Sequence, residues 1–164
     1  LRGALKQAVS SGAEVVSGGE VSQSGLYLSP AILTGVNYEN PIMEEEIFGP
    51  ILPIIKTKNL GEAIEYINNN EKPLALYLFS NKGSEQNKVL KNTSSGGMVI
   101  NDCVLHHMNP NLPFGGINNS GVGSYHGKFG FDAFSHHKAV LKSSSFSPFK
   151  IMLPPYTKTQ GKPC

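Results

Sequence analysis

Ile51-Leu52-Pro53-Ile54-Ile55-Lys56, then Asn59-Leu60-Gly61-Glu62-Ala63-Ile64-Glu65-Tyr66-Ile67, then Leu74-Ala75-Leu76-Tyr77-Leu78-Phe79: two short apolar runs flank one helical pattern. The first run is rich in β-branched residues and predicts a strand over 51–56. Pro53 has no N–H to donate to a ladder, which confines that strand to a sheet edge or a bulge. Asn59 predicts a helix N-cap, with Glu62 three residues on as its capping partner. Leu60, Ala63, Ile64 and Ile67 recur at helical spacing and predict the buried stripe. Pro73 forbids continuation. Leu74–Phe79 is continuously apolar, as in a strand covered on both faces. Ser84 predicts the cap of a second helix running to about Asn92, with Val89 and Leu90 inward, and Met98–Asn101 forms the next strand beyond Gly96-Gly97. Strand, helix, strand, helix, strand with short connections predicts an α/β fold built on a parallel sheet.

Upstream, Leu1, Ala4, Leu5, Ala8 and Val9 repeat at helical spacing, and Gly12 stands where a C-terminal glycine stops a helix. Ala13–Val16 predicts a short strand, and Gly25–Val36 a strand broken at Pro30. Downstream, residues 102–124 form a long loop rich in Asn, Gly and Pro, and a loop of that length in a compact domain is functional or disordered. A short Lys128–Phe134 segment leads into a strand candidate, Ser135–Lys142, carrying Ala139, Val140 and Leu141. The Ser-rich stretch 143–147 and the Pro-rich end predict a poorly ordered tail. No internal repeat or low-complexity run is present.

The chain has 164 residues, 39% of them hydrophobic, enough for one real core. Its formal charge of +2 argues for neither nucleic acid nor anionic lipid as a partner. The two cysteines, Cys103 and Cys164, make no disulfide framework, so a reducing, cytoplasmic setting is expected. No apolar run approaches 18 residues, and the chain opens on Leu1 directly in a helical pattern, which suggests that something precedes it.

Between the first half and strand 51–56 lies Pro41-Ile42-Met43-Glu44-Glu45-Glu46-Ile47-Phe48-Gly49-Pro50. Glu44 and Glu45 read as solvated charge. Glu46 abuts Ile47 and Phe48 at the mouth of a strand, where α/β proteins place ligand-contacting groups. A carboxylate held by a stiff Phe-Gly-Pro turn can accept hydrogen bonds from a sugar diol while the ring packs on a flat heterocycle.

The string Glu45-Glu46-Ile47-Phe48-Gly49-Pro50 resembles the cofactor-contacting signature of the aldehyde dehydrogenase superfamily. Leu112-Pro113-Phe114-Gly115-Gly116, Asn119-Ser120-Gly121-Val122-Gly123 and Ser124-Tyr125-His126-Gly127-Lys128 are similar to its late-chain signatures. Tyr125–Lys128, with Phe134-Ser135-His136 behind it, is most similar to the class 3 branch of fatty and aromatic aldehyde dehydrogenases. The likeness covers roughly residues 1–142. It implies the C-terminal third of an NAD- or NADP-dependent enzyme oxidising medium- or long-chain aliphatic or aromatic aldehydes to acids. It divides the chain into part of a catalytic domain (1–127), an oligomerisation segment (128–142) and a tail (143–164).

What the resemblance implies for single residues is specific. Glu46 would hold the nicotinamide ribose hydroxyls and Phe48 would buttress the ring. Val104, His107, Phe114 and His126 would line the aldehyde tunnel, and Asn101 would support the site's backbone through its amide. The nucleophilic cysteine and general-base glutamate of the family lie upstream and have no counterpart here, so no catalytic residue is assigned and the piece alone is expected to be inactive. Cys103 is not in the nucleophile's context. Strand 135–142 would extend a neighbouring subunit's sheet in a homodimer. A non-catalytic assembly or partner-binding module is the alternative reading, and membrane association would run only through the tail or segments outside this chain.

Other readings of these residues carry less. Gly121, Gly123 and Gly127 have G-x-G-x-x-x-G spacing with no strand before them, which is not the dinucleotide fingerprint. A Gly-rich turn passing close to the tunnel fits them better. Cys103, His106 and His107 fall short of four tetrahedral ligands, so no metal is assigned. Phe114 and His126 can also be read as ordinary loop packing.

Overall fold

The structure, a computed structural model, describes residues 1–143 together with residues 149, 153 and 154. In chain order the elements are α1 (Arg2–Ser10), β1 (Glu14–Ser17), β2 (Ala31–Thr34), a 3₁₀ turn (Pro41–Met43), β3 (Ile51–Pro53), α2 (Leu60–Asn69), β4 (Ala75–Leu78), α3 (Gly83–Asn92), β5 (Gly97–Ile100), α4 (Leu105–Met108), a second 3₁₀ turn (Asn118–Ser120) and α5 (Gly127–Ala133). They fall into two compact units. One comprises Leu1–Glu71 with Asn81–Ser94, the other Lys72–Ser80 with the chain from Ser95 onward. Among the described residues no helix is long and apolar enough to cross a membrane.

In the first unit β1 pairs antiparallel with β2, and β2 pairs parallel with β3. β2 shows the two-residue alternation of a half-buried strand: Ala31 and Leu33 point into the core and Ile32 points out. Leu5 and Ala8 of α1 close over that face, with Ala13, Val36, Ile42 and Ile51 completing the apolar cluster. Burying each such side chain contributes about 1.5–3 kcal/mol for the larger ones, so this cluster fixes where the chain leaves β2 and enters β3. β3 lies at the sheet edge, where Pro53 is tolerated. Asn59 caps α2 through its side-chain oxygen, which accepts from the Glu62 N–H at 3.1 Å. The Glu62 carboxylate reaches back to the Lys58 N–H at 2.7 Å, one residue earlier than a capping box requires.

The second unit holds β4 and β5, parallel and in register from Ala75 opposite Gly97 to Leu78 opposite Ile100. After β5 the chain makes α4, the second 3₁₀ turn and α5. Phe114 and Tyr125 pair as an isolated antiparallel bridge, exchanging N–H···O bonds of 3.0 and 2.9 Å.

The α/β class with parallel pairing is as expected, but the wiring differs. The anticipated β3-α2-β4-α3-β5 run does not form one sheet, since β3 pairs with β2 and β4 with β5. Periodicity identifies strands but carries no information about which strands meet. β4 is only half-buried, and Tyr77 is exposed, so it is not covered on both faces within the described residues. α3 starts at Gly83 with Lys82 at its cap and no side-chain cap bond, so Ser84 lies inside the helix. Val89 is buried, but Leu90 is exposed, because the adjacent position on a helix turns by about 100°. The strand expected over 135–142 is absent. Residues 136–143 have no regular structure, because a strand exists only where a ladder partner lies alongside and none does among the described residues. The tail expected over 143–164 lies almost wholly outside the described residues.

Candidate functional site

Glu46 and Phe48 belong to the first unit. The local sequence stiffens their backbone in two ways. Asn40, buried at 2% exposure, caps the turn at Pro41 by accepting the Ile42 N–H at 3.1 Å, and Pro at the first position of that turn is pre-set for it. The same side chain donates to the Ala8 carbonyl at 3.2 Å, tying the turn to α1. Beyond it come successive tight turns closed by Phe48 N–H to Glu46 O (3.0 Å), Gly49 N–H to Ile47 O (2.8 Å) and Ile51 N–H to Gly49 O (2.9 Å). The Pro50 carbonyl then accepts from Ala31 N–H at 2.8 Å and enters the sheet.

These constraints hold two side chains outward. The Phe48 ring is 86% exposed despite its size. The Glu46 carboxylate is exposed and forms no hydrogen bond or ion pair among the described residues. Beside it a cleft of about 410 Å³ runs between Leu1, Ala4 and Gln7 of α1's side and Pro41–Ile47. Glu44 and Glu45 line the same cleft and are exposed, in keeping with solvated charge. An outward carboxylate next to an outward ring on a stiff turn has the chemistry to hold a diol and a flat heterocycle.

Asn101, Val104, His107, Phe114 and His126 belong to the second unit. The Asn101 side-chain oxygen accepts from Ser80 N–H at 2.8 Å, and its own N–H donates to Leu78 O at 2.7 Å, so one residue joins the ends of both strands. Asn101 and Val104 both sit at left-handed φ, 62° and 64°. For β-branched Val104 this is strain of about 1–3 kcal/mol, held at the start of α4 with the side chain half out in solvent.

His107, Phe114 and His126 meet. The His107 ring stands edge-on to Phe114 at 4.7 Å and lies 5.3 Å from His126, while Phe114 and His126 are 5.9 Å apart. Tyr125 packs on both Phe114 and His126. The glycines make this approach feasible. A Cβ on Gly115 would lie 2.0 Å from the Gly123 carbonyl oxygen, and one on Gly116 would lie 2.1 Å from that of Ser120. The Pro113–Gly116 turn is thereby clamped to the Ser120–Ser124 turn, with Gly123 at φ +74°.

Two residues gain weight that the sequence alone did not assign them. His106, read only as part of a rejected metal set, is 8% exposed, with both ring nitrogens sealed and unpartnered. It wedges between Tyr77, Phe114 and Gly97, where a Cβ would come within 2.5 Å of its Cδ2. The signal available was the glycine pair Gly96-Gly97 at the start of β5, which leaves room for a ring. Asn40 stands in the sequence directly before Pro41. The Asn-Pro pair, a cap followed by a first-turn proline, was the signal for more. Among the described residues no three His, Cys, Asp or Glu side chains are grouped to hold a metal ion, and Cys103 is an exposed free thiol.

Comparison with known proteins identifies the family. The model of the aldehyde dehydrogenase family matches residues 1–140. The chain belongs to the aldehyde dehydrogenase family. It is 50% identical over 145 residues to aldehyde dehydrogenase family 3 member B1 of Bos taurus, covering 87% of this chain and 31% of that protein. It is 50% identical over 131 residues to the dimeric NADP-preferring aldehyde dehydrogenase of Rattus norvegicus, covering 80% and 29%. Among solved structures, the substrate-bound state of Staphylococcus aureus AldH superposes with a TM-score of 0.84 at 43% identity, over 94% of this chain and 33% of that one. This aldehyde dehydrogenase family chain therefore spans about a third of the length of the relatives it matches.

Proposed function

We propose that the chain is the cofactor-orienting and substrate-guiding part of an NAD- or NADP-dependent aldehyde dehydrogenase that oxidises medium- or long-chain aliphatic or aromatic aldehydes to carboxylic acids. The nucleophile and general base belong to other parts of the full-length protein, and the 164-residue piece by itself is inactive. The observation that carries this reading is the outward Glu46 carboxylate, without a partner of its own, beside the outward Phe48 ring on a turn closed by three short-range hydrogen bonds.

The cofactor's part is to take up a hydride. This chain's residues supply position. Glu46 accepts hydrogen bonds from the ribose diol and Phe48 limits the tilt of the nicotinamide ring. Phe114, with Val104, His107 and His126 around it, shapes the passage for the aldehyde, and Asn101 holds the backbone at the ends of β4 and β5 through its bond to Ser80. Positioning of this kind is worth several kcal/mol of barrier, up to about 7–11 kcal/mol when fully realised. The rat relative's description as NADP-preferring favours use of NADP, though NAD is equally compatible with Glu46 and Phe48, which meet only the nicotinamide end.

Assembly is the second element of the proposal. Phe131, Phe134, Val140 and Leu141 are exposed to between 72% and 94%, and segment 135–142 has no ladder partner among the described residues. Such a segment completes itself by adding to a neighbouring subunit's sheet, consistent with the word dimeric in the rat relative's name. A reducing, cytoplasmic setting, with membrane association only through the tail or segments outside this chain, is the remaining part of the proposal, supported by the exposed free thiol of Cys103.

The test is turnover by the full-length protein that carries this chain. Nonanal and benzaldehyde are offered with NAD or NADP, with cofactor reduction followed at 340 nm. Oxidation of either aldehyde is expected. A folded full-length protein that reduces neither cofactor would overturn the reading.

A further inference from the structure

The surroundings of Phe114 are unusual in their chemistry. Among the described residues four rings pack on it, and three are imidazoles: His106, His107 and His126, with Tyr125 the fourth. His106 is sealed and looks inward. His107 is exposed and His126 is half-buried with its Nδ1 sealed and unpartnered. The two available rings stand 5.3 Å apart at 74°.

No carboxylate of the described chain engages them. Asp102 accepts from Cys103 N–H at 2.7 Å, and Asp132 is occupied by Lys128 Nζ at 2.5 Å with His137 at 3.7 Å. The other rings packed on the pair, Phe114 and Tyr125, supply no charge. A neutral imidazole carries one N–H donor, so two adjacent rings can each direct an N–H at one oxygen of a shared acceptor group. Phe114, half-buried beside them, adds apolar surface at the same place. The positions are not free to drift. The Phe114–Tyr125 bridge pins both flanking backbones, and His126 is fixed at φ 87°.

On the reading that this cluster lines the aldehyde passage, the geometry points to a substrate whose far end carries a carboxylate: an aldehyde acid, with its apolar middle on Phe114 and its two oxygens shared by His107 and His126. A purely apolar aldehyde offers these imidazole donors no acceptor, whereas a carboxylate accepts from both.

The experiment compares 4-formylbenzoate with its methyl ester, methyl 4-formylbenzoate, and with benzaldehyde, using the full-length protein. The wild type is expected to favour the free acid over the ester in kcat/KM. His107→Leu is expected to cut that acid-to-ester ratio about tenfold, chiefly through KM for the acid, since hydrogen bonds to charged groups are the strong ones. His107→Gln, which keeps an N–H donor, is expected to restore most of it, and His126→Asn, which tolerates the positive φ, to lower the ratio in the same sense. A ratio unchanged by His107→Leu, or a wild type that prefers the ester, overturns the inference while leaving aldehyde oxidation standing. Failure of the wild type to oxidise any of the three while nonanal is still oxidised overturns the inference alone, and failure on nonanal as well overturns the function proposed above, and the inference with it.

Discussion

Replacing Asn40 with Ala probes the anchor of the Glu46 turn. Asn40 is 2% exposed, accepts from Ile42 N–H at 3.1 Å and donates to Ala8 O at 3.2 Å, with a longer approach of 3.5 Å to Ser11 O. Loss of the cap bond costs about 0.5–2 kcal/mol. Loss of the bond to Ala8 costs about 0.5–1.5 kcal/mol net, at the low end because that carbonyl still accepts from Ala13 N–H at 3.0 Å. The sum, about 1–3.5 kcal/mol, appears as easier local opening, not as global unfolding. Hydrogen exchange in the full-length protein reads it directly at the Met43 amide, which bonds to Asn40 O at 2.8 Å. Exchange there should accelerate roughly 5- to 400-fold. Asn40→Asp sharpens the test. It keeps the acceptor for Ile42 but turns a second oxygen toward the Ala8 and Ser11 carbonyls. Burial and those carbonyls would raise its folded pKa above the unfolded value, so whatever stability the variant retains is present at low pH and lost as pH rises through that folded pKa. An unchanged Met43 rate in Asn40→Ala, or an Asn40→Asp protein equally protected at pH 5 and pH 8, would refute the anchoring argument.

Two further outcomes are expected. Gly97→Ala places a Cβ 2.5 Å from His106 Cδ2 and should destabilise by about 1–3 kcal/mol. In a double-mutant cycle with His106→Ala most of that cost should vanish, and additive thermal shifts would count against the His106 wedge. The Tyr38 hydroxyl is sealed and unpartnered and its pKa is raised, first by burial and then by Glu62 and Tyr66. With a folded pKa above the unfolded one, its contribution is present below about pH 10 and lost as pH rises further. Ultraviolet titration at 295 nm should show a late tyrosine phase that Tyr38→Phe removes, and persistence of that phase in the variant would exclude Tyr38 as its source.

The elements of the first unit were legible where a single residue determines a boundary. Asn59 caps α2, Gly12 follows α1, and Pro53 marks β3 as an edge strand. Ladder partners were not legible, because the apolar runs at 51–56 and 74–79 look alike whether they pair with each other or elsewhere. Leu90 is exposed, against expectation, for a related reason: apolarity says that a side chain gains from burial, not that the rest of the chain provides cover. In the site, the Phe-Gly-Pro turn announced its own stiffness, since Pro and Gly act locally. His106 and His107 are adjacent and chemically identical, and only the fold of α4 against Gly97 decides which is sealed and which meets Phe114 and His126. The segment 135–142 showed its apolar character in sequence, but strand character requires a partner that sequence does not name.

The central claim is that Glu46 acts on the cofactor from a rigid turn, and single-turnover kinetics of Glu46→Gln in the full-length protein tests it most directly. Gln keeps the shape of the side chain while removing its charge. The expected result is slower hydride transfer together with weaker cofactor binding, about tenfold or more from loss of charged-group hydrogen bonds. A single-turnover rate and cofactor affinity both equal to those of the wild type would contradict the claim.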